Sequence, residues 1–338
     1  MTPLIIDTDP GIDDAFAIAL AAASPEVELL AVTTVFGNVG LENTTTNALR
    51  LLELCGRPNV PVAAGADRPL VHPTPHRASE VHGDDGLSGA ADTLPKASKD
   101  VDGRHAVDLM AELLRVATEP VTIAPIGPMT NVALLLALHP ELKPKIGRIV
   151  AMGGSAKGGN TTAAAEFNIW SDPEAAHRVL AEEDVPTVLV PLDLTHRCFV
   201  DEAWMDRLDT GGAVARGLNL LTPSYRATYR RELGIAGMVL HDAIALAEAI
   251  SPGLLGTTPC PVEVDCSHGP GRGATIIDRR RKVGSERRLV DVAFEADVDQ
   301  LREFVLSRVL GWGPGPARPR SAAWWSGTPA RPGVPDRR

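Results

Sequence analysis

The sequence predicts an α/β fold: a mostly parallel open sheet with helices on both faces. Two observations carry this. Short β-branched apolar runs alternate with longer segments of helical period, and the runs are bounded by Gly, Pro or Asp. Residues 4–7 form the first buried strand and residues 13–23 the first helix. A strand at 27–35 and a helix at 41–55 follow. Residues 66–100 are rich in Pro, Gly and His and read as loop. A helix at 105–116, a strand at 121–124, a helix at 129–138 and a strand at 149–152 resume the alternation. Residues 153–167 begin Gly-Gly-Ser and have little periodicity. The helix at 172–181 opens Ser171-Asp172-Pro173-Glu174, a capping residue followed by Pro at the first helical position. A strand at 188–192 comes next. Sheets of this kind hold ligands beyond the carboxyl ends of their strands, which directs attention to those ends.

Composition bounds the function. With 338 residues, 44% of them hydrophobic, the chain has ample material for a core, so wholesale disorder is excluded. One domain is expected over residues 1–311 and a disordered tail over 312–338. Residues 313–338 hold six Pro and four Gly, too little apolar surface to offset chain entropy. Five Arg against one Asp give this tail +4, leaving −14 for the rest of a chain whose net charge is −10. That acidity argues against a nucleic-acid partner, which needs clustered Lys and Arg. No apolar stretch reaches the ~20 residues of a membrane helix. The first strand starts almost at Met1, leaving no room for a signal peptide, so a cytoplasmic protein is expected. Cys55, Cys198, Cys260 and Cys266 show no CxxC and no zinc-like spacing with His, and read as reduced thiols.

The most informative segment is Ile5-Ile6-Asp7-Thr8-Asp9-Pro10-Gly11-Ile12-Asp13-Asp14-Ala15. Four carboxylates gather where a buried strand ends and a helix begins. One Asp suffices as a helix cap, and four this close repel unless a cation or protons compensate. Oxygen-only ligands favour a hard ion, calcium or magnesium. A further acidic partner must come from elsewhere. Asp242, beside His241 at the start of another helical pattern, is a candidate for that place or for a plain helix cap.

These residues carry a resemblance. The run from Asp7 to Ala15 looks like the N-terminal signature of the inosine–uridine-preferring nucleoside hydrolases. The likeness continues through Gly37-Asn38 with Glu42-Asn43, Val81-His82-Gly83, and Ile126-Gly127-Pro128-Met129-Thr130-Asn131. It extends to Met152-Gly153-Gly154, Asn160, Ala165-Glu166-Phe167-Asn168 with Asp172-Pro173-Glu174-Ala175-Ala176-His177, and Leu240-His241-Asp242. These motifs stand in the family's order.

The resemblance implies a nucleoside hydrolase-like fold on a Rossmann-like core. It also implies calcium-dependent hydrolysis of the N-glycosidic bond of ribonucleosides, of inosine or uridine type, to ribose and free base. Asp9, Asp14, Asp242 and the Ile126 carbonyl are the implied calcium ligands. Asp9 is also the implied general base, taking a proton from a metal-bound water. Asp7 would sit behind the site and orient its neighbours, with Asp13 at the periphery on the substrate side. Asn38, Met152, Asn160, Glu166 and Asn168 match the sugar side. Glu166 and Asn168 would share one face of an extended segment, with Phe167 on the other, facing sugar or core. His241 matches the leaving-group acid, a task suited to neutral-range titration, and His82 a base-side residue. Tyr225 and Tyr229, four apart on one helical face, are candidates to close over the base. The implied partner is a small ribonucleoside, and a homodimer or homotetramer is expected.

Two other readings compete. A haloacid-dehalogenase-like phosphatase would use Asp7 as nucleophile and Asp9 as acid/base, leaving Asp13-Asp14 and His241-Asp242 unexplained. A nucleoside-binding protein with a dead site would have lost a ligand or the base, yet Asp9, Asp14, Asn168 and Asp242 are all present.

Overall fold

The computed structural model describes residues 1–280 and 287–312. The expected tail at 313–338 lies outside the described residues. Trp312, placed at the head of that tail by sequence, packs against the body instead. Its indole N–H donates to the Cys55 carbonyl at 2.9 Å, under the Arg57 guanidinium.

The first six strands are β1 (Thr2–Thr8), β2 (Val27–Thr34), β3 (Val62–Ala64), β4 (Val121–Pro125), β5 (Ile146–Met152) and β6 (Thr187–Val190). Then come β7 (Phe199–Asp201), β8 (Gly237–Val239), β9 (Leu255–Cys260), β10 (Val262–Val264), β11 (Thr275–Ile277) and β12 (Val290–Ala296). Eight of them build one open sheet in the order β3-β2-β1-β4-β5-β6-β12-β9. Every pairing in it is parallel except β12 with the edge strand β9. The expected fold class is the observed one.

Side chains on β1 explain the layering. Leu4 and Ile6 enter one apolar core while Ile5 enters the other, as a period of two requires. The first core gathers the helices Ile12–Ala23, Leu41–Leu54, His241–Ile250 and Val298–Gly311. The second gathers Ala106–Val116, Thr130–Leu138 and Pro173–His177. Among the described residues no helix is long and apolar enough to cross a membrane.

From β1 the chain steps outward through β2 to β3, then returns to β4 on β1's other side and continues to β6. The order therefore reverses between β1 and β4, the place where sheets of this kind hold ligands in a crevice beyond the strand ends. Asp7–Asp14 and Ile126 both leave the sheet at that point.

The helix expected at 172–181 is shorter. Pro173–His177 is helical, with Asp172 accepting from the Ala175 N–H at 3.1 Å, and a wider π-type turn covers Arg178–Glu182. The loop expected at 66–100 contains the one-turn helix Ser79–His82.

Candidate active site

Asp14 is held hardest. Its Oδ2 accepts from the Gly11 N–H at 2.8 Å, capping the helix Ile12–Ala23, and from the Asn38 amide at 3.2 Å. Its Oδ1 accepts from the Thr8 hydroxyl. Asp9 lies between two glycines. A Cβ at Gly37 would stand 1.9 Å from Asp9 Oδ2 and one at Gly127 2.3 Å from Oδ1, so the motif glycines make room for this carboxylate. Oδ2 accepts from the Asn38 N–H at 2.7 Å. Oδ1 has no protein hydrogen bond among the described residues.

Across the crevice, the helix His241–Ile250 presents Asp242. Ligand-capable atoms of Asp13, Asp14 and Asp242 lie within 4.8 Å of one another, and all three residues are buried. Two full charges at that spacing repel by about 3–4 kcal/mol even at an effective dielectric of ~20. Burial and mutual repulsion accordingly push Asp242 and Asp9 well above the ordinary carboxylate range. Burial, then the Asp14 charge, lifts Asp13 to about 8. Among the described residues no Lys or Arg forms an ion pair with any of the four. Three buried, all-oxygen donors without a counter-charge fit a hard divalent cation. The tight trio differs from the implied ligand set, because Asp13 stands in it where Asp9 was expected. Asp9 is bound through Oδ2 by the Asn38 N–H.

The Ile126 carbonyl accepts from the Asn168 side-chain amide at 2.9 Å, and the Met152 carbonyl accepts from the same group at 3.3 Å. Glu166 and Asn168 do not share a face of an extended segment. Phe167–Ser171 is a short helix, and Glu166 caps it through the Asn168 and Ile169 N–H groups at 2.9 and 3.1 Å. Glu166 also accepts from the Gly154 N–H at 3.0 Å, tying two site loops together. A carboxylate satisfying orphan donors at a helix start overrides the local preference for extended chain. Phe167 is half-buried on that helix. Asn160 is exposed, its Oδ1 accepting from the Phe167 N–H at 3.0 Å.

Asp7 is fully buried behind the crevice. Its Oδ1 accepts from Thr33 Oγ1 at 2.6 Å and Asn131 Nδ2 at 2.8 Å, and burial raises it to about 7. A carboxylate so enclosed cannot reach a phosphoryl group, which removes the phosphatase reading.

The remaining wall is a chain of rings. His82 accepts the Ile12 N–H on Nδ1 at 3.2 Å, so its neutral ring carries the proton on Nε2. Burial holds it down to about 4, and its centroid lies 5.1 Å from that of Tyr225. Tyr225 and Tyr229 hydroxyls stand 3.4 Å apart, and Tyr229 Oη is 2.9 Å from His241 Nε2. Burial, then the nearby His196 and His82, pushes His241 down to about 3. Its ring is therefore neutral near pH 7, not midway through titration as its residue type suggested.

Sequence reasoning passed over Thr8, Asn131 and Thr195, which bond Asp14, Asp7 and His241 respectively. Thr8 is the last residue of β1 and Thr195 ends the short helix after β6, and that nearness to strand ends was the available signal.

Residues 4–303 match the family described as inosine-uridine preferring nucleoside hydrolase. A pyrimidine-specific ribonucleoside hydrolase RihA from Photobacterium profundum is 41% identical over 306 residues, spanning 89% of this chain and 97% of the relative. The RihA of Salmonella typhi is 42% identical over the same shares. Among solved structures, a purine-preferring ribonucleoside hydrolase from Gardnerella vaginalis superposes with a TM-score of 0.86 at 32% identity, covering 93% of this chain and 99% of that one. Fold, crevice and sequence agree: the chain belongs to the inosine-uridine preferring nucleoside hydrolase family and is a ribonucleoside hydrolase.

Proposed function

We propose that this enzyme hydrolyses pyrimidine ribonucleosides in preference to purine ones, with a calcium ion held at the carboxylate cluster. The observation that carries the cation is the buried trio Asp13, Asp14 and Asp242, without a counter-charge, at the β1–β4 reversal. Asp14, Asp242, the Ile126 carbonyl and one of Asp9 or Asp13 would hold the ion. Calcium takes 6–8 oxygen ligands, so the bound ion would supply positive charge and open positions for sugar hydroxyls and water. The pyrimidine preference rests on the printed specificity of the RihA relatives at 41–42% identity.

Asp9 is the general base. Its Oδ2 is held by the Asn38 N–H, and its Oδ1, with no protein hydrogen bond among the described residues, is left to accept a proton from water. As water attacks C1′, its proton passes to Asp9 and the C1′–N pair departs with the base. The transition state has oxocarbenium character. Glu166 and Asn168 frame the sugar side. On the base side, neutral His82 and the Tyr229 hydroxyl are the hydrogen-bond donors that stabilise the departing base before it takes a proton, with His241 bonded behind Tyr229. Asp9 then releases its proton to solvent and the departed base takes one up from solvent, so that water is added across the bond overall, OH to ribose and H to base. Four thiols without disulfides suit a cytoplasmic setting.

The test is product chromatography after incubation with uridine, cytidine, inosine and adenosine. Uridine and cytidine are expected to give free base and ribose with the higher kcat/KM. Faster cleavage of inosine would overturn the base preference, and no ribose from any of the four would overturn the activity.

Leaving-group help has its own signature. His241→Ala is expected to slow uridine hydrolysis by about 10²–10⁴-fold. It should leave p-nitrophenyl riboside near its wild-type rate, since nitrophenolate departs unaided. Equal losses on both substrates would make His241 structural.

The cluster also predicts a pH dependence of stability. In chelated protein Asp13 and Asp7 hold protons to about 8 and about 7, against an ordinary 3.8. The folded chain then binds more protons than the unfolded one, so stability falls as pH rises through that window. The Tm of chelated enzyme should drop between pH 5 and 8, and calcium should remove the drop. A chelated Tm that climbs over that range would contradict the assignment.

A further inference from the structure

His241 is bonded on both ring nitrogens, and only one of its partners belongs to the wall of rings. Thr195, at the end of the short helix Leu192–Thr195 that follows β6, is completely buried. Its Oγ1 lies 2.7 Å from His241 Nδ1, and Tyr229 Oη lies 2.9 Å from Nε2. Either oxygen can donate or accept, so distances alone leave two proton arrangements for the neutral ring.

Counting protons decides between them. Among the described residues the Thr195 hydroxyl has one hydrogen-bond partner, His241 Nδ1. The Pro191 carbonyl nearest in the helix accepts from the Thr195 backbone N–H instead, at 3.2 Å. If Nδ1 carried the ring proton, Thr195 would accept it. Its own hydroxyl hydrogen would then be sealed in the core without an acceptor, at the full cost of desolvation. If Thr195 donates to Nδ1, that cost disappears and the ring proton sits on Nε2. Nε2–H then donates to Tyr229, whose own hydroxyl hydrogen can turn to the Tyr225 hydroxyl, 3.4 Å away, or to a departing base. In the opposite arrangement Tyr229 donates back to the histidine and has nothing to offer a substrate.

We infer that Thr195 is a positioning residue that fixes the proton of neutral His241 on Nε2 and so directs the Tyr229 hydroxyl toward the leaving group. The inference deepens the leaving-group reading above and rests on it for its kinetic consequence. The tautomer itself does not depend on that reading. No net proton transfer from Thr195 is involved, because its hydroxyl keeps its hydrogen throughout.

Two readouts test it. In enzyme carrying ¹⁵N-histidine, long-range ¹⁵N–¹H correlation distinguishes the two tautomers, with His241 identified by the signals lost in His241→Gln. Wild type should show the Nε2–H pattern, and Thr195→Val should lose it or show a mixture. A wild-type Nδ1–H pattern overturns the inference. In kinetics, Thr195→Val should lower kcat on uridine by roughly 10–100-fold, a usual cost of removing a group that orients a functional histidine. KM and the rate on p-nitrophenyl riboside should stay near wild type, and Thr195→Ser should restore kcat. Equal slowing of both substrates, or no rescue by Ser, overturns it. Should His241→Ala leave uridine hydrolysis intact, the leaving-group reading falls with the kinetic part, and the spectra still decide the tautomer. Thr195→Ser and the wild-type spectrum keep the test open if Thr195→Val fails to fold.

Discussion

Asp9→Asn is expected to remove nearly all turnover while leaving the fold intact. Asn has the shape of Asp, fits the gap between Gly37 and Gly127, and still accepts from the Asn38 N–H. It cannot take a proton from water. Loss of a general base typically costs about 10²–10⁴-fold, and any loss of cation affinity adds to that. Stability should not suffer, because the change removes a buried acid whose ionised form burial and the neighbouring Asp14 disfavour. The measurement is kcat on uridine beside a thermal melt. A calcium-loaded Asp9→Asn enzyme with wild-type kcat would end the assignment of Asp9 as base.

An effect of comparable size is expected from the substrate. 2′-Deoxyuridine should be hydrolysed far more slowly than uridine. In the proposed reading the sugar meets buried polar groups: the acidic trio, Glu166 and Asn168. A site built to engage a hydroxyl leaves such groups unpaired when the hydroxyl is missing, and rejects the analogue by about 10⁴–10⁵-fold. Comparing kcat/KM for the two nucleosides measures this. Equal values would contradict sugar recognition by the cluster.

What the sequence made legible and what it hid separate along physical lines. β1, the helix after it and the carboxylates between them lie within one short segment, so strand period, cap and charge density all read locally. The edge strand β9 was not anticipated. It contains Gly256 and Pro259 and its middle is exposed, so no apolar alternation marks it. β3 has three residues and offers too few positions to show a period. The stretch around Glu166 was misread as extended because a five-residue helix is held by its cap and by the Gly154 loop, not by helical periodicity. That Asp13 lies within 4.8 Å of Asp14 and Asp242 depends on how two distant helix starts meet, and spacing cannot report that. The contact of Thr195 with His241 joins residues 46 apart and exists only once the strand ends converge.

The measurement that bears most directly on the whole account is uridine turnover by wild-type enzyme in phosphate-free buffer, before and after exhaustive chelation and after calcium is returned. Uracil and ribose should form in equal amounts, cease to form on chelation, and form again with calcium. Undiminished turnover by enzyme shown by elemental analysis to hold no calcium would contradict the account, as would recovery with zinc alone.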